Sequence, residues 1–422
     1  MVLNNRSINR ALYALTVFML FNQLLISAFQ LPTEIIVVFE LTVLLFLLYL
    51  LPNGIRGYLP AALSPQMKIV ALWLLASLVG LVASSGSVWQ YATGLRLYGK
   101  YFVVFVIGAF ALNRKRVLSL LELFRKMVLL NVALCSLQYF VLGFHGDHCG
   151  GIFGTLKTNS WMNVLLCVVS VYMIALYVHS QIKLRTLLLH CLACVYVAAL
   201  AEIKFFYFEL AMILLLVIMF TKPNRKTITA GIAGVLMLLV LSQLVEGLWS
   251  GSSSSMFTWE GIQGYFAEKA YGYSAVGDLG RVGGIAQIDR LFFPDSPNLF
   301  GLGMGSCTYG TPFYAKHGYL HYTWFSYLNI YLEMGWVGLV LYILFFLSVV
   351  FSSLRARREG AAEAAADKAI HVVGECMGVL GIVLLWYNTT VINSPGYFLF
   401  LALSFPFALR KQPKRTGALP AR

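Results

Sequence analysis

The sequence predicts an all-α, polytopic membrane helix bundle of about twelve transmembrane helices, with one long extracytoplasmic loop between helices 9 and 10. Three observations predict it. Of 422 residues, 59% are apolar and only 11% charged, with a mean hydropathy of +0.78, far more apolar matter than a soluble core needs. Apolar runs long enough to cross hydrocarbon recur from the N-terminus onward. Lysines and arginines are shared unevenly between alternate connections.

The runs lie near 11–29, 34–51, 68–85, 97–112, 127–144, 159–178, 185–202, 204–220, 228–248, 333–352, 369–388 and 395–409. The first is longer than a signal-peptide core and lacks a small-x-small cleavage site, so it is expected to stay as a helix. Twelve crossings put both termini on one side. That side collects 23 of the 31 Lys and Arg residues and the other side 8, so the positive-inside rule predicts cytoplasmic termini. The net charge of +14 is therefore a matter of topology, not a nucleic-acid surface. No repeat or low-complexity linker divides the chain, and residues 1–422 read as a single integral membrane domain.

Residues 249–321 differ in composition from everything around them, and a loop of this length in a compact protein is usually functional or disordered. The loop is expected to be extracytoplasmic and to form part of the active site. After the serine-rich start, "MFTWEGIQGYFAEKAYGY" has the character of a helix lying at the membrane surface. Asp278, Arg281, Asp289, Arg290 and Asp295 follow, then "DSPN" and "FGLGMGS". Gly301-x-Gly303-x-Gly305 lacks the strand before it and the helix after it that a nucleotide loop requires. Two readings remain for these glycines: a structural turn, or a close approach of the backbone to something else.

His317 and His321 are spaced to lie one above the other on a helical face. They read as hydrogen-bonding or proton-transferring groups at the mouth of the bundle, or as interfacial residues beside an aromatic belt. A metal is disfavoured because no acidic or cysteine ligand stands at a fixed spacing from them. In "AALAEIKFFYFEL", Glu202 and Lys204 sit at the outer junction of two spans and Glu209 inside the second, where charge is costly. Lys204 can snorkel, pair with Glu202, or hold a ligand. Arg96 and Lys100 in "GLRLYGKYFVV" and Lys157 share that membrane face with Arg281 and Arg290, and together they suit a strongly anionic headgroup. "HGDHCGG", with His145, Asp147, His148 and Cys149, reads as a polar loop, since ligands so close in sequence rarely close a tetrahedron. Five of the seven cysteines lie in apolar spans, and only Cys149 and Cys307 fall in outer loops where a bridge between them is permitted.

These features resemble the O-antigen ligase and O-antigen polymerase superfamily, polytopic membrane glycosyltransferases of bacterial surface polysaccharide assembly. The resemblance is carried by Gly280-Arg281, "NLFGLGMGS" about twenty residues on, and a histidine-containing segment leading to "YLNIYLEMGWVGL". Trp324 stands where the family histidine falls, with His321 one helical turn earlier, and Lys204 stands near the family's other arginine. The resemblance implies a periplasmic long loop in the bacterial inner membrane and a donor glycan on undecaprenyl pyrophosphate. The acceptor is either another repeat unit, in a polymerase of O-antigen, capsule or exopolysaccharide, or lipid A core, in a ligase. It implies catalytic roles for Arg281, His321 and Glu333, and pyrophosphate binding by Lys204, Arg281, Arg290, Arg96 and Lys100, with His317 and Lys157 as further candidates. No metal or nucleotide cofactor is expected, because the donor bond is already activated. Expected partners are the lipid-linked donor, the acceptor, membrane lipids and a chain-length regulator, with no nucleic acid. A polysaccharide-lipid transporter or flippase is the rival; it would call for paired halves and polar sites near the midplane.

Overall fold

The computed structural model describes residues 5–55, 63–221, 224–248, 279, 283–359 and 364–409, with the side chains of all but 5–6, 53–55 and 237–248. Among the described residues the architecture is entirely helical, with no strand. Helices α1 (Asn5–Phe29), α2 (Val37–Ile55), α3 (Ser64–Ala83), α4 (Val88–Gly94), α5 (Lys100–Ala111) and α6 (Arg114–Ser136) form the first half. A π-helical turn, Leu95–Gly99, joins α4 to α5. Then come α7 (Asn159–Val178), α8 (Leu184–Leu200), α9 (Phe205–Phe220), α10 (Arg225–Leu248), the short α11 (Gly284–Phe292) and α12 (Pro312–His317), and finally α13 (Ser326–Glu359), α14 (Ala365–Tyr387) and α15 (Gly396–Ala408).

A helix overlies each of the twelve apolar runs. Among the described residues, seven helices are long and apolar enough to cross a membrane: Ser7–Phe29, Thr33–Pro52, Ser64–Ala83, Val88–Ala111, Asn159–Val178, Ser326–Glu359 and Ala365–Tyr387. Helices α8, α9 and α15 are apolar but shorter. Helix α6 falls outside both groups because Arg114, Lys115, Arg116, Glu122, Arg125 and Lys126 occupy its first half. The run placed at 333–352 begins earlier and ends later, as α13, because the buried "SYLNIYLE" before it is already helical.

Helices apolar all round divide by what surrounds them. The apolar window of α7 is buried along its whole length, and every residue of α15 is buried, so these two stand in the middle of the bundle. In contrast, Leu41, Leu44, Leu45, Leu48 and Leu51 of α2 and Leu72, Leu75, Val79 and Val82 of α3 are exposed. In water that surface would be a liability, but against lipid tails it is the ordinary outer face. Phe102, Tyr342, Phe345 and Phe400 join α5, α13 and α15 through ring pairs at 4.9–5.5 Å, each worth about 0.5–1.5 kcal/mol beyond its buried area. Close approach is set by small residues: a Cβ on Gly108 would stand 2.2 Å from Ser404 Oγ. Two ion pairs fasten α14, Arg114 with Asp367 at 2.6 Å and Arg357 with the buried Glu375 at 3.0 Å.

Candidate functional site

The site rests on a break in α13. Gly335 has φ 62° and ψ −164°, so the helical ladder stops there and restarts. The segment 298–307 repairs it. The Leu302 amide donates to Leu332 O at 2.8 Å, while the Trp336 and Val337 amides donate to Asn298 O and Leu299 O at 2.9 and 3.1 Å. The Asn298 side chain donates to Tyr331 O at 2.7 Å and accepts from the Gly301 amide at 2.8 Å. This splice needs backbone contact that no side chain would allow. A Cβ on Gly335 would stand 2.3 Å from Leu299 C, and one on Gly305 only 1.9 Å from Gln90 O. The glycines thus serve a turn and a close approach together.

Glu333 locks the splice. Fully buried, its carboxylate accepts from the Gly305 amide at 2.8 Å, the Cys307 amide at 2.8 Å and the Tyr98 hydroxyl at 2.9 Å. Burial pushes the neighbouring Cys307 thiol up, and the Glu333 charge adds to the shift. The Tyr322 hydroxyl, raised chiefly by burial, donates to Cys307 O at 2.7 Å and ties the splice to the chain that follows.

On that following segment lies an open cavity of about 450 Å³, lined by Asp147, Asn159, Asn163, Glu202, Lys204 and Trp324, with Tyr387 beside them. Lys204 caps α9, and Glu202, two residues back, takes a positive φ of 51° at the α8–α9 corner. Phe205 next to Lys204 stacks on Tyr387 at 3.7 Å, which fixes this corner to the end of α14. Trp324 remains 43% exposed, and the His321 ring stacks on it at 4.1 Å. The Leu279 amide donates to Leu320 O at 3.3 Å, placing Leu279 against the residue before His321.

The cavity therefore brings together Lys204, Trp324 and, through Trp324, His321. The other candidates stand elsewhere. Arg96 and Lys100 both pair with Glu40 of α2, at 3.4 and 3.7 Å, and Lys100 lies 5.6 and 5.3 Å from the Phe39 and Tyr101 rings. Arg290 is exposed on α11, and Lys157 is exposed with φ 54° two residues before Asn159. His317 ends α12, while His321 has φ 54° after a 3-10 turn, so the two histidines do not share a helical face. His317 packs instead against Phe292 and Phe313 at 5.0 and 4.8 Å. Partial burial there, and then the Lys316 charge, hold its imidazolium below the ordinary range. Arg281 and residues 249–278 lie outside the described residues.

Cys149 and Cys307 are both free. Cys149 faces Cys135, its thiol directed at Cys135 O at 3.6 Å, so the bridge expected as permissible between Cys149 and Cys307 does not form. The "HGDHCGG" residues disperse: Asp147 accepts from Asn159 at 2.6 Å and His148 bonds Thr155 O at 2.7 Å. Among the described residues no group of His, Cys, Asp and Glu is arranged to hold a metal ion.

Sequence reasoning missed Asn159 and Asn163, which line the cavity from α7 one helical turn apart. The signal was present in "NSWMN", two amides at the head of an otherwise apolar run. No protein-family model matches the chain, and no curated protein matches its sequence.

Proposed function

We propose that the chain is a membrane glycosyltransferase that polymerises oligosaccharide repeat units carried on undecaprenyl pyrophosphate. In this reading twelve helices cross the bacterial inner membrane, both termini are cytoplasmic, and 249–321 is a periplasmic loop before a late span. The observation that carries it is the cavity lined by Lys204 and Trp324, with the His321 ring stacked on Trp324. A cation and a ring platform together suit a phosphate bonded to a sugar. Arg281 is added to the same chemistry by the resemblance carried by Gly280-Arg281.

Lys204 and Arg281 would bind the pyrophosphate and stabilise the charge it gains as the bond from sugar C1 to phosphate oxygen breaks. The acceptor hydroxyl oxygen forms the new bond to C1. His321 takes the hydroxyl proton, and undecaprenyl pyrophosphate departs.

Incubating the purified chain with the lipid-linked glycan alone tests this. A ladder of longer glycans supports polymerase. Transfer that occurs only when lipid A core is added indicates a ligase, and no transfer to either acceptor removes both readings.

A further inference from the structure

Two of the helical segments long and apolar enough to cross a membrane carry charge well inside their length. Glu40 lies in Thr33–Pro52, and Arg96 and Lys100 lie in Val88–Ala111. At 1.5 Å per residue, Glu40 and Arg96 each stand about 10 Å in from the nearer end. Charge at that depth is costly and marks function by default. The three side chains meet, but they do not balance. One carboxylate serves two cations, 3.4 Å from Arg96 and 3.7 Å from Lys100, which leaves one positive charge in excess. The Lys100 side chain is only 12% exposed, and its ammonium has three protons to donate. It lies over the Phe39 and Tyr101 rings, and the Glu40 oxygen at 3.7 Å is beyond ordinary hydrogen-bond length. Arg96, on the π-helical turn, is the opposite case, with a side chain 66% exposed. The flanking surface is apolar: Val37 and Leu44, one turn to either side of Glu40, and Trp89, two turns before Arg96, are all exposed. A guanidinium exposed on such a surface faces lipid rather than bulk water.

From this arrangement we infer that Arg96 and Lys100 form a lipid-facing site for a phosphate-bearing headgroup, between α2 and α5 and separate from the cavity around Lys204. A phosphodiester carries one negative charge, which matches the excess. Its oxygens accept hydrogen bonds, so they suit both the guanidinium fork and the ammonium protons that Glu40 leaves unused. A soluble anion would have to pass the apolar surface that lipid covers. A headgroup instead arrives with its own tails, which lie along the exposed leucines of α2. Glu40 is then a positioning residue. It keeps together two cations that would otherwise repel at this spacing, and it competes with the phosphate for them. The inference does not rest on the transferase reading, because it needs only a membrane around α2 and α5.

The test titrates the full chain in detergent micelles, by calorimetry and native mass spectrometry, with three probes. They are dioctanoyl phosphatidylglycerol, dioctanoylglycerol, which has the same tails and no phosphate, and inorganic phosphate. The wild type is expected to bind the phospholipid about tenfold more tightly than either of the others, the scale of one charge-assisted hydrogen bond. Arg96→Gln and Lys100→Met should each remove that preference. The Arg96 side chain is 66% exposed, so its variant stays informative if the Lys100 variant fails to fold. Glu40→Gln should tighten phospholipid binding about threefold, since the competing carboxylate is gone. A Glu40 that only braces the helices would leave binding unchanged or weaken it, and either result in a folded variant overturns the competition. Phospholipid affinity unaltered by Arg96→Gln overturns the site, as does equal wild-type affinity for the phospholipid and either other probe. Binding lost in Lys204→Ala and kept in Arg96→Gln would move the phosphate to the cavity and overturn it too. Absence of glycosyl transfer, by contrast, sinks the functional proposal and leaves this site standing.

Discussion

The Gly305 amide donates to the Glu333 carboxylate at 2.8 Å, across 28 positions of sequence. With the Cys307 and Tyr98 bonds, this makes Glu333 the clasp that holds the splice segment in the broken helix. Replacing it by Gln puts an amide NH₂ where one donor is now accepted. Glu333→Gln is expected to cost about 2 kcal/mol or more, as loss of a buried charge-assisted bond does. Thermal unfolding in detergent reads it, and an unchanged midpoint would contradict the clasp.

Two glycines of the splice and the nearby Gly310 differ in what surrounds them. Gly305→Ala and Gly335→Ala would drive Cβ into backbone at 1.9 and 2.3 Å, and backbone cannot move aside as a side-chain tip does. Gly310 has a φ of 87° but nothing within 4 Å of where a methyl group would stand, so Gly310→Ala bears only the left-handed backbone cost of about 1–2 kcal/mol. Expression and size-exclusion profiles should show the first two variants aggregated and Gly310→Ala monodisperse.

His317 is held toward its neutral form by burial against Phe292 and Phe313 and by Lys316. Its folded pKa lies below its unfolded one, so the unfolded segment binds the proton first. Local stability is full above the ordinary histidine range and falls as pH drops through it. Hydrogen exchange over 312–325 should therefore speed up at about pH 5.5 relative to about pH 8 after correction for intrinsic rates, and His317→Phe should abolish the difference.

Cys149 lies against Cys135, and Cys307 lies beside Glu333. Alkylation of the unfolded, unreduced chain is expected to label both Cys149 and Cys307. A cross-linked peptide containing those two residues would contradict the placement.

Helices were legible because each apolar run had to satisfy its own backbone in the absence of water, a local demand that composition records. Long-range partners were not. Nothing near "FGLGMGS" announces that its amides meet Glu333, and nothing near "GLRLYGK" announces that Arg96 and Lys100 turn to Glu40. The histidine spacing misled because Gly318 opens a 3-10 turn and His321 takes a left-handed backbone, which ends the helix that the spacing assumed. Lys204 was legible as an expensive cation at a helix junction, whereas its cavity needed the fold to bring 147, 163 and 324 beside it.

The cavity around Lys204 is the centre of the functional proposal, and turnover of an undecaprenyl-pyrophosphate-linked glycan by purified Lys204 variants tests it most directly. Lys204→Ala is expected to lower kcat/KM about 100-fold, the scale of losing one group that stabilises developing charge, with Lys204→Arg restoring most of it. Wild-type turnover by a folded Lys204→Ala protein would contradict the proposal.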